Sequence, residues 1–125
     1  MSGILFFDGA CGMCTRAVEF ILRHNRTGLL RIEPLQSPGT AERLGVSPSH
    51  LLDCNRWLDP SGAVYSGAEA MNAAVSTAIG SKLPLMLYHI PGIGFIEEAI
   101  YRWVATHRYR FRGTTPYCES HPAAC

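Results

Sequence analysis

The sequence has few charged residues, almost no net charge and no long hydrophobic run. Charged side chains make up 17% of the 125 residues, against about 25% in typical globular domains, so we expect one face to be covered or to associate. The net charge of +1 provides no general attraction for nucleic acids or other polyanions. No stretch approaches the roughly 20 apolar residues of a membrane-spanning helix. The length predicts a single domain. The lack of a long apolar run predicts that it has no membrane span, and the small net charge predicts that it has no nucleic-acid partner.

We also expect no secretory leader. The apolar run after Met1 is short and ends at Asp8, whereas a leader needs a longer apolar stretch. Five cysteines cannot all pair within the chain, which argues against the disulfide framework of a small secreted domain. We therefore expect a cytoplasmic protein whose thiols are mainly reduced.

The clearest chemical signal is a pair of thiols, Cys11 and Cys14, separated by two residues. The apolar run 4–7 precedes them and predicts a strand that is buried on both faces. From Cys11 onward apolar residues recur at helical spacing, so Cys11 lies at or just before the first turn of a helix that ends near His24. The free N–H groups and the dipole at that end of a helix favour the thiolate of Cys11.

This placement predicts a role for each thiol in disulfide exchange. Cys11 is expected to attack a disulfide, and Cys14, deeper in the helix and less exposed, is expected to resolve the mixed disulfide. Asp8 has two interpretations: a proton acceptor for Cys14 during resolution, or a turn-forming residue before Gly9. For the two cysteines the alternative is a buried structural pair.

The pattern after the first helix predicts an α/β fold. A strand over 29–33 completes a βαβ unit, whose strands are parallel, and Ser37 and Pro38 open a short helix. The strands 55–58 and 63–65 flank a turn rich in Pro and Gly, which predicts an antiparallel hairpin.

The second half of the chain is predicted to be helical. Ser66 and Glu69 form a capping box for a helix over 67–79. An apolar segment, 83–90, and a last helix over 94–107 follow it. The order βαβ, short helix, ββα matches a thioredoxin-like core with a mixed four-stranded sheet and extra C-terminal helices.

Several segments together resemble a known family. The stretch from Phe7 to Cys14 resembles the D-x-x-C-x-x-C signature of the DCC family, which are predicted thiol–disulfide oxidoreductases of thioredoxin-like fold. Similar segments follow in the same order at 34–37, 66–70, 91–92 and 101–109. The resemblance covers about Ile4 to Arg112 and implies a redox-active pair. The family often has proline after the first cysteine, whereas this chain has Gly12, so its redox potential is not carried over.

We expect one domain over 1–112 and a flexible tail over 113–125. The end of the domain, 108–112, alternates basic and aromatic residues. We interpret it as a solvated edge or as a segment laid over the core, and not as a nucleic-acid strip. One specific possibility is that an arginine of this stretch pairs with one of three carboxylates, those of Glu97, Glu98 and Asp8.

The other cysteines leave alternatives open. Cys54 precedes the third strand and is either close to the motif or a buried, inert cysteine. Cys118, His121 and Cys125 lie in the tail, and together with the motif they offer enough ligands for zinc.

The sequence therefore predicts an enzyme that reduces or exchanges disulfides of a protein or a small thiol. An external reductant, such as a thioredoxin or glutathione system, would regenerate it, and no cofactor is required. The alternatives are a zinc-binding or protein-interaction module that uses the same thiols, and a thioredoxin-fold scaffold whose motif is not used in turnover.

Overall fold

The chain is built around a mixed four-stranded sheet. The computed structural model describes residues 2–110 and 113–125. The spatial order of the strands is β2-β1-β3-β4, where β1 is Gly3–Phe7, β2 Leu30–Pro34, β3 Arg56–Leu58 and β4 Val64–Ser66. β1 pairs with β2 in parallel, and β3 is antiparallel to both β1 and β4. The predicted βαβ unit and antiparallel hairpin are both confirmed.

Helices cover the sheet and extend beyond it. They are α1 (Gly12–Arg23), α2 (Thr40–Leu44), α3 (Gly67–Ile79), α4 (Leu83–Tyr88), α5 (Ile93–Thr106) and α6 (Tyr117–Ser120). Short 3₁₀ turns lie at Pro48–Asp53, Arg108–Arg110 and Pro122–Ala124. The element order and the sheet are those of a thioredoxin-like fold, and α4 and α5 form the predicted C-terminal extension.

The first strand is buried on both of its faces, as its unbroken apolar run predicts. On one face Leu5 and Phe7 pack with Trp57 and with the inner sides of α1 and α3. On the other face Ile4 and Phe6 belong to a smaller cluster that contains two leucines, Leu35 and Leu44. Because β1 is fixed from both sides, the turn that follows it is held in one place.

Two local predictions about helix starts are wrong. The short helix begins at Thr40 and not at Pro38, since Gly39 takes a left-handed conformation before it. Ser66 precedes α3 but makes no capping hydrogen bond. Instead its hydroxyl oxygen accepts from Arg56 at 2.7 Å.

The predicted tail lies against the start of α1. The backbone N–H of Cys118 donates to the carbonyl of Gly9 at 2.9 Å, and that of Thr114 donates to the carbonyl of Gly12 at 3.2 Å. We call residues 113–118 the C-terminal strap. The tail's flexibility and the domain boundary at residue 112 stay predictions. Within the described part of the chain, no helix has the length and apolar character needed to cross a membrane.

Candidate functional site

The turn between β1 and α1 is shaped by Asp8. Its carboxylate oxygen Oδ1 accepts from the backbone N–H of Ala10 at 3.0 Å, and its carbonyl accepts from the N–H of Cys11 at 3.2 Å. An aspartate side chain that accepts a hydrogen bond from the backbone N–H two residues ahead forms an Asx-turn. The turn-forming interpretation of Asp8 is therefore confirmed.

Cys11 is the residue that caps α1. Its backbone is extended (φ −102°, ψ 118°), and its sulfur accepts a hydrogen bond from the backbone N–H of Cys14, with an N···S distance of 3.3 Å. This bond satisfies one of the N–H groups that a helix start leaves without a partner. The sulfur of Cys11 thus lies where the helix best stabilises a negative charge.

Cys14 lies one turn further along α1 and has a different environment. Burial raises the pKa of the Cys14 thiol, and the hydrogen bond and charge of Cys11 raise it further. Arg108 opposes this and lowers the pKa of Cys14, whereas the charge of Asp8 raises it. At neutral pH Cys14 is consequently a protonated thiol, close to one cation and one carboxylate.

The relative exposure of the two thiols is the reverse of the prediction. Cys11 is 1% exposed and Cys14 is 8% exposed, although Cys14 lies deeper in the helix. The C-terminal strap contacts the residues on both sides of Cys11, since Thr114 bonds to Gly12 and Cys118 to Gly9. Tyr117 anchors the strap: its N–H donates to the hydroxyl of Thr15 at 3.1 Å, and its ring meets Phe7 edge-on at 5.2 Å.

Asp8 is almost fully buried and is held by three donors. In addition to the N–H of Ala10, the side-chain amide of Gln36 donates to Oδ1 of Asp8 at 2.7 Å. The third donor, Arg108, forms an ion pair with Oδ2 at 3.2 Å. The sequence-based suggestion that an arginine of 108–112 pairs with Asp8 is therefore confirmed for Arg108. The part of that stretch at residues 111 and 112 lies outside the described residues.

A cavity of about 390 Å³ opens beside Cys14, between α1, α3 and α5. Its wall is mostly apolar and includes Met13, Met71 and Ile100. The sequence did not single out Tyr101, which also lines it; the phenolic oxygen accepts from the backbone N–H of Asn55 at 2.8 Å. Burial raises the pKa of Tyr101 to about 12. Because Cys14 lines this cavity and Cys11 does not, Cys14 is the thiol of the pair that faces an internal space.

Comparison with known proteins identifies the family. The family model described as DCC1-like thiol-disulfide oxidoreductase matches residues 5–114. The chain belongs to this family. The match covers most of the chain and includes the turn, both thiols and the first residues of the strap, so the DCC resemblance carried by the motif segments is confirmed.

Two relatives of this DCC family protein are similar over nearly its whole length. The uncharacterized protein YuxK of Bacillus subtilis strain 168 is 27% identical over 118 residues, which are 92% of this chain and 84% of the relative. A chloroplastic DCC family protein of Arabidopsis thaliana is 28% identical over 120 residues, 93% of this chain and 68% of the relative. No solved structure matches the chain.

Two glycines of this DCC family protein allow the strap to approach the motif. A Cβ atom on Gly12 would lie 2.5 Å from the carbonyl oxygen of Thr114, and one on Gly9 would lie 2.6 Å from the sulfur of Cys118. Both distances are shorter than real Cβ contacts. Glycine after the first cysteine, where the family often has proline, is therefore one of the two residues that let the strap lie on the motif.

The remaining cysteines differ from each other. Cys54 is half-buried and free, so the expectation of a buried, inert residue is met only in part. Cys118 and Cys125 form a disulfide, which the sequence analysis did not predict. Among the described residues no group of three histidine, cysteine or acidic side chains is arranged to hold a metal ion. As a disulfide, Cys118 and Cys125 are not thiolate ligands for zinc.

Proposed function

We propose that the chain catalyses thiol–disulfide exchange, with Cys11 as the attacking thiol and Cys14 as the resolving thiol. The hydrogen bond from the N–H of Cys14 to the sulfur of Cys11 carries this proposal. The bond shows that the sulfur of Cys11 lies at the start of α1 and accepts from a backbone N–H. This is the environment that favours a thiolate. The thiolate is the form that attacks a disulfide.

The exchange consists of two displacements. The thiolate of Cys11 attacks one sulfur of a substrate disulfide, and the other sulfur leaves as a thiolate. Cys14 then gives up its proton and attacks the sulfur of Cys11, which releases the second substrate sulfur. The substrate gains two electrons, and the enzyme retains a Cys11–Cys14 disulfide that an external reductant must reduce.

The contrast between the two thiols supports this division of roles. Because burial and the neighbouring Cys11 raise the pKa of Cys14, Cys14 stays protonated while Cys11 attacks. We assign Asp8 as the acceptor of the Cys14 proton in the second displacement. Its carboxylate is buried, and its charge acts on Cys14, as the smallest of the effects that raise the pKa of that thiol.

The substrate in this proposal is a disulfide in a protein or a small thiol compound. The chain would act as a cytoplasmic protein-disulfide reductase, with a thioredoxin or glutathione system as its reductant. The proposal requires no cofactor.

Selective alkylation of the reduced chain tests the assignment. At neutral pH a small thiol reagent is expected to modify Cys11 much faster than Cys14, because only the thiolate reacts. Peptide mass mapping at timed intervals gives both rates, and Cys54→Ser removes the third free thiol from the mixture. Equal rates, or a faster Cys14, would remove Cys11 as the attacking thiol.

A second function is favoured by one observation. Cys11 is 1% exposed, which suits a scaffold whose motif is not used in turnover. A redox titration distinguishes an enzyme that uses the motif in turnover from a scaffold that does not. Turnover requires a two-electron Cys11–Cys14 transition near the cytosolic poise, about −220 to −320 mV. A chain that forms no disulfide between these residues at any potential would support the scaffold.

A further inference from the structure

A second cysteine pair, Cys118 and Cys125, begins at the last residue of the C-terminal strap, and we call it the strap pair. Cys118 and Cys125 are joined by a disulfide across seven residues, with their Cα atoms 5.8 Å apart. Both belong to the same terminal segment, so the bridge joins this segment to itself and not to the core. A bridge that closes a short loop also removes less chain entropy from the unfolded state than one that closes a long loop. Holding the fold together is therefore a poor explanation for it.

This disulfide lies against the motif. The sulfur of Cys118 is 2.6 Å from the place of a Cβ atom on Gly9, and its backbone N–H donates to the carbonyl of Gly9 at 2.9 Å. Gly9 precedes Cys11 by two residues, so their Cα atoms lie within about 7.6 Å of each other. The second pair thus begins beside the turn that carries Cys11.

The two pairs differ in their access to solvent. Cys11 is 1% exposed beneath the strap, whereas Cys118 and Cys125 are both half-buried. We expect that an incoming protein disulfide has to displace the strap before it meets Cys11. The disulfide between Cys118 and Cys125 already lies against Gly9, in the turn that carries Cys11, and it is less buried than Cys11.

We propose that Cys118 and Cys125 are a second redox-active pair that exchanges its disulfide with Cys11 and Cys14 within one chain. The thiolate of Cys11 attacks the sulfur of Cys118, and Cys125 leaves as a thiolate. Cys14 then loses its proton and attacks Cys11, and Cys118 leaves and is protonated.

This exchange is balanced within the chain. One disulfide and two thiols are present before it and after it, and two electrons pass from the motif to the strap. It needs no external oxidant or reductant. The more exposed strap pair is then the pair that exchanges with a small or protein thiol from outside. This inference rests on the proposed function, since it uses the same attack by Cys11.

Oxidation of the fully reduced chain by a single equivalent of dipyridyl disulfide tests the proposal. Samples quenched in acid, alkylated and mapped by mass spectrometry give the amounts of both disulfides over time. We expect the two disulfides to relax to a constant ratio with a first-order rate that does not depend on protein concentration. In Cys14→Ser the expected product is a Cys11–Cys118 mixed disulfide within one monomer, with Cys125 free.

Two variants give matched comparisons. Gly113→Ala keeps every cysteine but places a methyl group against the backbone of Gly12, so the relaxation should slow roughly tenfold or more as Cys118 moves away. Cys54→Ser should relax as the wild type does. A rate proportional to protein concentration, a rate unchanged in Gly113→Ala, or the absence of the mixed disulfide would each overturn the exchange.

Removal of the strap pair distinguishes the two proposals. If the double variant Cys118→Ser/Cys125→Ser still forms a Cys11–Cys14 disulfide, the proposed function stands. If the two disulfides of the wild type then fail to relax to a constant ratio, the result counts against the strap pair alone. If the motif forms no disulfide in this variant, the proposed function itself fails.

Discussion

At the scale of single residues, Asp8 is where separate parts of the sequence meet. The segments that carried the family resemblance at 34–37 and 101–109 supply Gln36 and Arg108 to its carboxylate. The sequence predicted the motif and its place before a helix, and it offered an arginine of 108–112 as one possible partner of Asp8. It could not predict that Cys11 is the more buried thiol, because the covering strap is remote in sequence.

Asp8→Asn should slow resolution by Cys14 and leave the first attack nearly unchanged. If Asp8 accepts the Cys14 proton, its loss should cost about 100-fold or more in the second step. Rapid-quench trapping of the mixed disulfide measures both rates. The field of the carboxylate acts in the opposite direction, because it raises the pKa of Cys14, so removing a charge alone would speed resolution.

Arg108→Gln is the matched control for Asp8→Asn. It breaks the same ion pair but keeps the carboxylate, and since Arg108 lowers the pKa of Cys14, its loss should make that thiol harder to ionise. Both variants should be less stable than the wild type, by about 3 kcal/mol, because each removes one member of the ion pair at the buried Asp8. A faster resolving step in Asp8→Asn would leave Asp8 as a turn residue only.

At the scale of elements, α5 does more than extend the fold. Its Glu98 accepts from the backbone N–H of Ala68 at 2.9 Å and from the hydroxyl of Tyr88 at 2.8 Å. The carboxylate therefore satisfies the start of α3 in place of the predicted capping box and also holds α4. A local sequence pattern cannot show this, because the capping group comes from 30 residues away.

Glu98→Ala should lower the free energy of unfolding by about 2 kcal/mol. The variant loses a charged cap at the start of α3 and a second charge-assisted hydrogen bond, to Tyr88. Urea denaturation measures the loss, and Glu98→Gln, which keeps an acceptor oxygen, should lose less. Glu19, an exposed residue of α1, gives the comparison: a Glu98→Ala loss no greater than that of Glu19→Ala would contradict this role.

At the scale of the whole molecule, the low content of charged residues corresponds to a large apolar surface. The outer faces of α4 and α5 expose many large side chains, and Phe95 is 78% exposed. The expectation of a face able to associate rested on composition alone, and the structure places this surface on the C-terminal extension. The core was easier to predict, since the strand and helix periodicities depend on local spacing.

Alkaline pH should destabilise the whole molecule. Burial raises the pKa of Tyr101 to about 12 and also raises that of Cys14, so from about pH 9 upward the unfolded chain loses these protons first. Fewer protons on the unfolded chain mean that stability falls as pH rises. Between about pH 8 and pH 10.5 the Tyr101 share of this fall should be about 1 kcal/mol.

Urea denaturation at both pH values measures the fall, and Tyr101→Phe gives its control. That variant lacks the phenol, so it should lose less stability between the two pH values, even though the N–H of Asn55 has lost its acceptor and the starting stability is lower. An identical fall in the variant and the wild type would show that Tyr101 titrates normally.

The position of the strap bears on the order in which parts of the chain fold. The hydrogen bond between Tyr117 and Thr15 joins residues 102 positions apart, whereas β1, α1 and β2 meet through much shorter loops. Contacts of long sequence separation carry the larger cost of loop closure, so the sheet forms before the strap docks. We therefore expect a refolding molecule to form its C-x-x-C motif before the strap covers it, and its thiols to be most open to other chains in that interval.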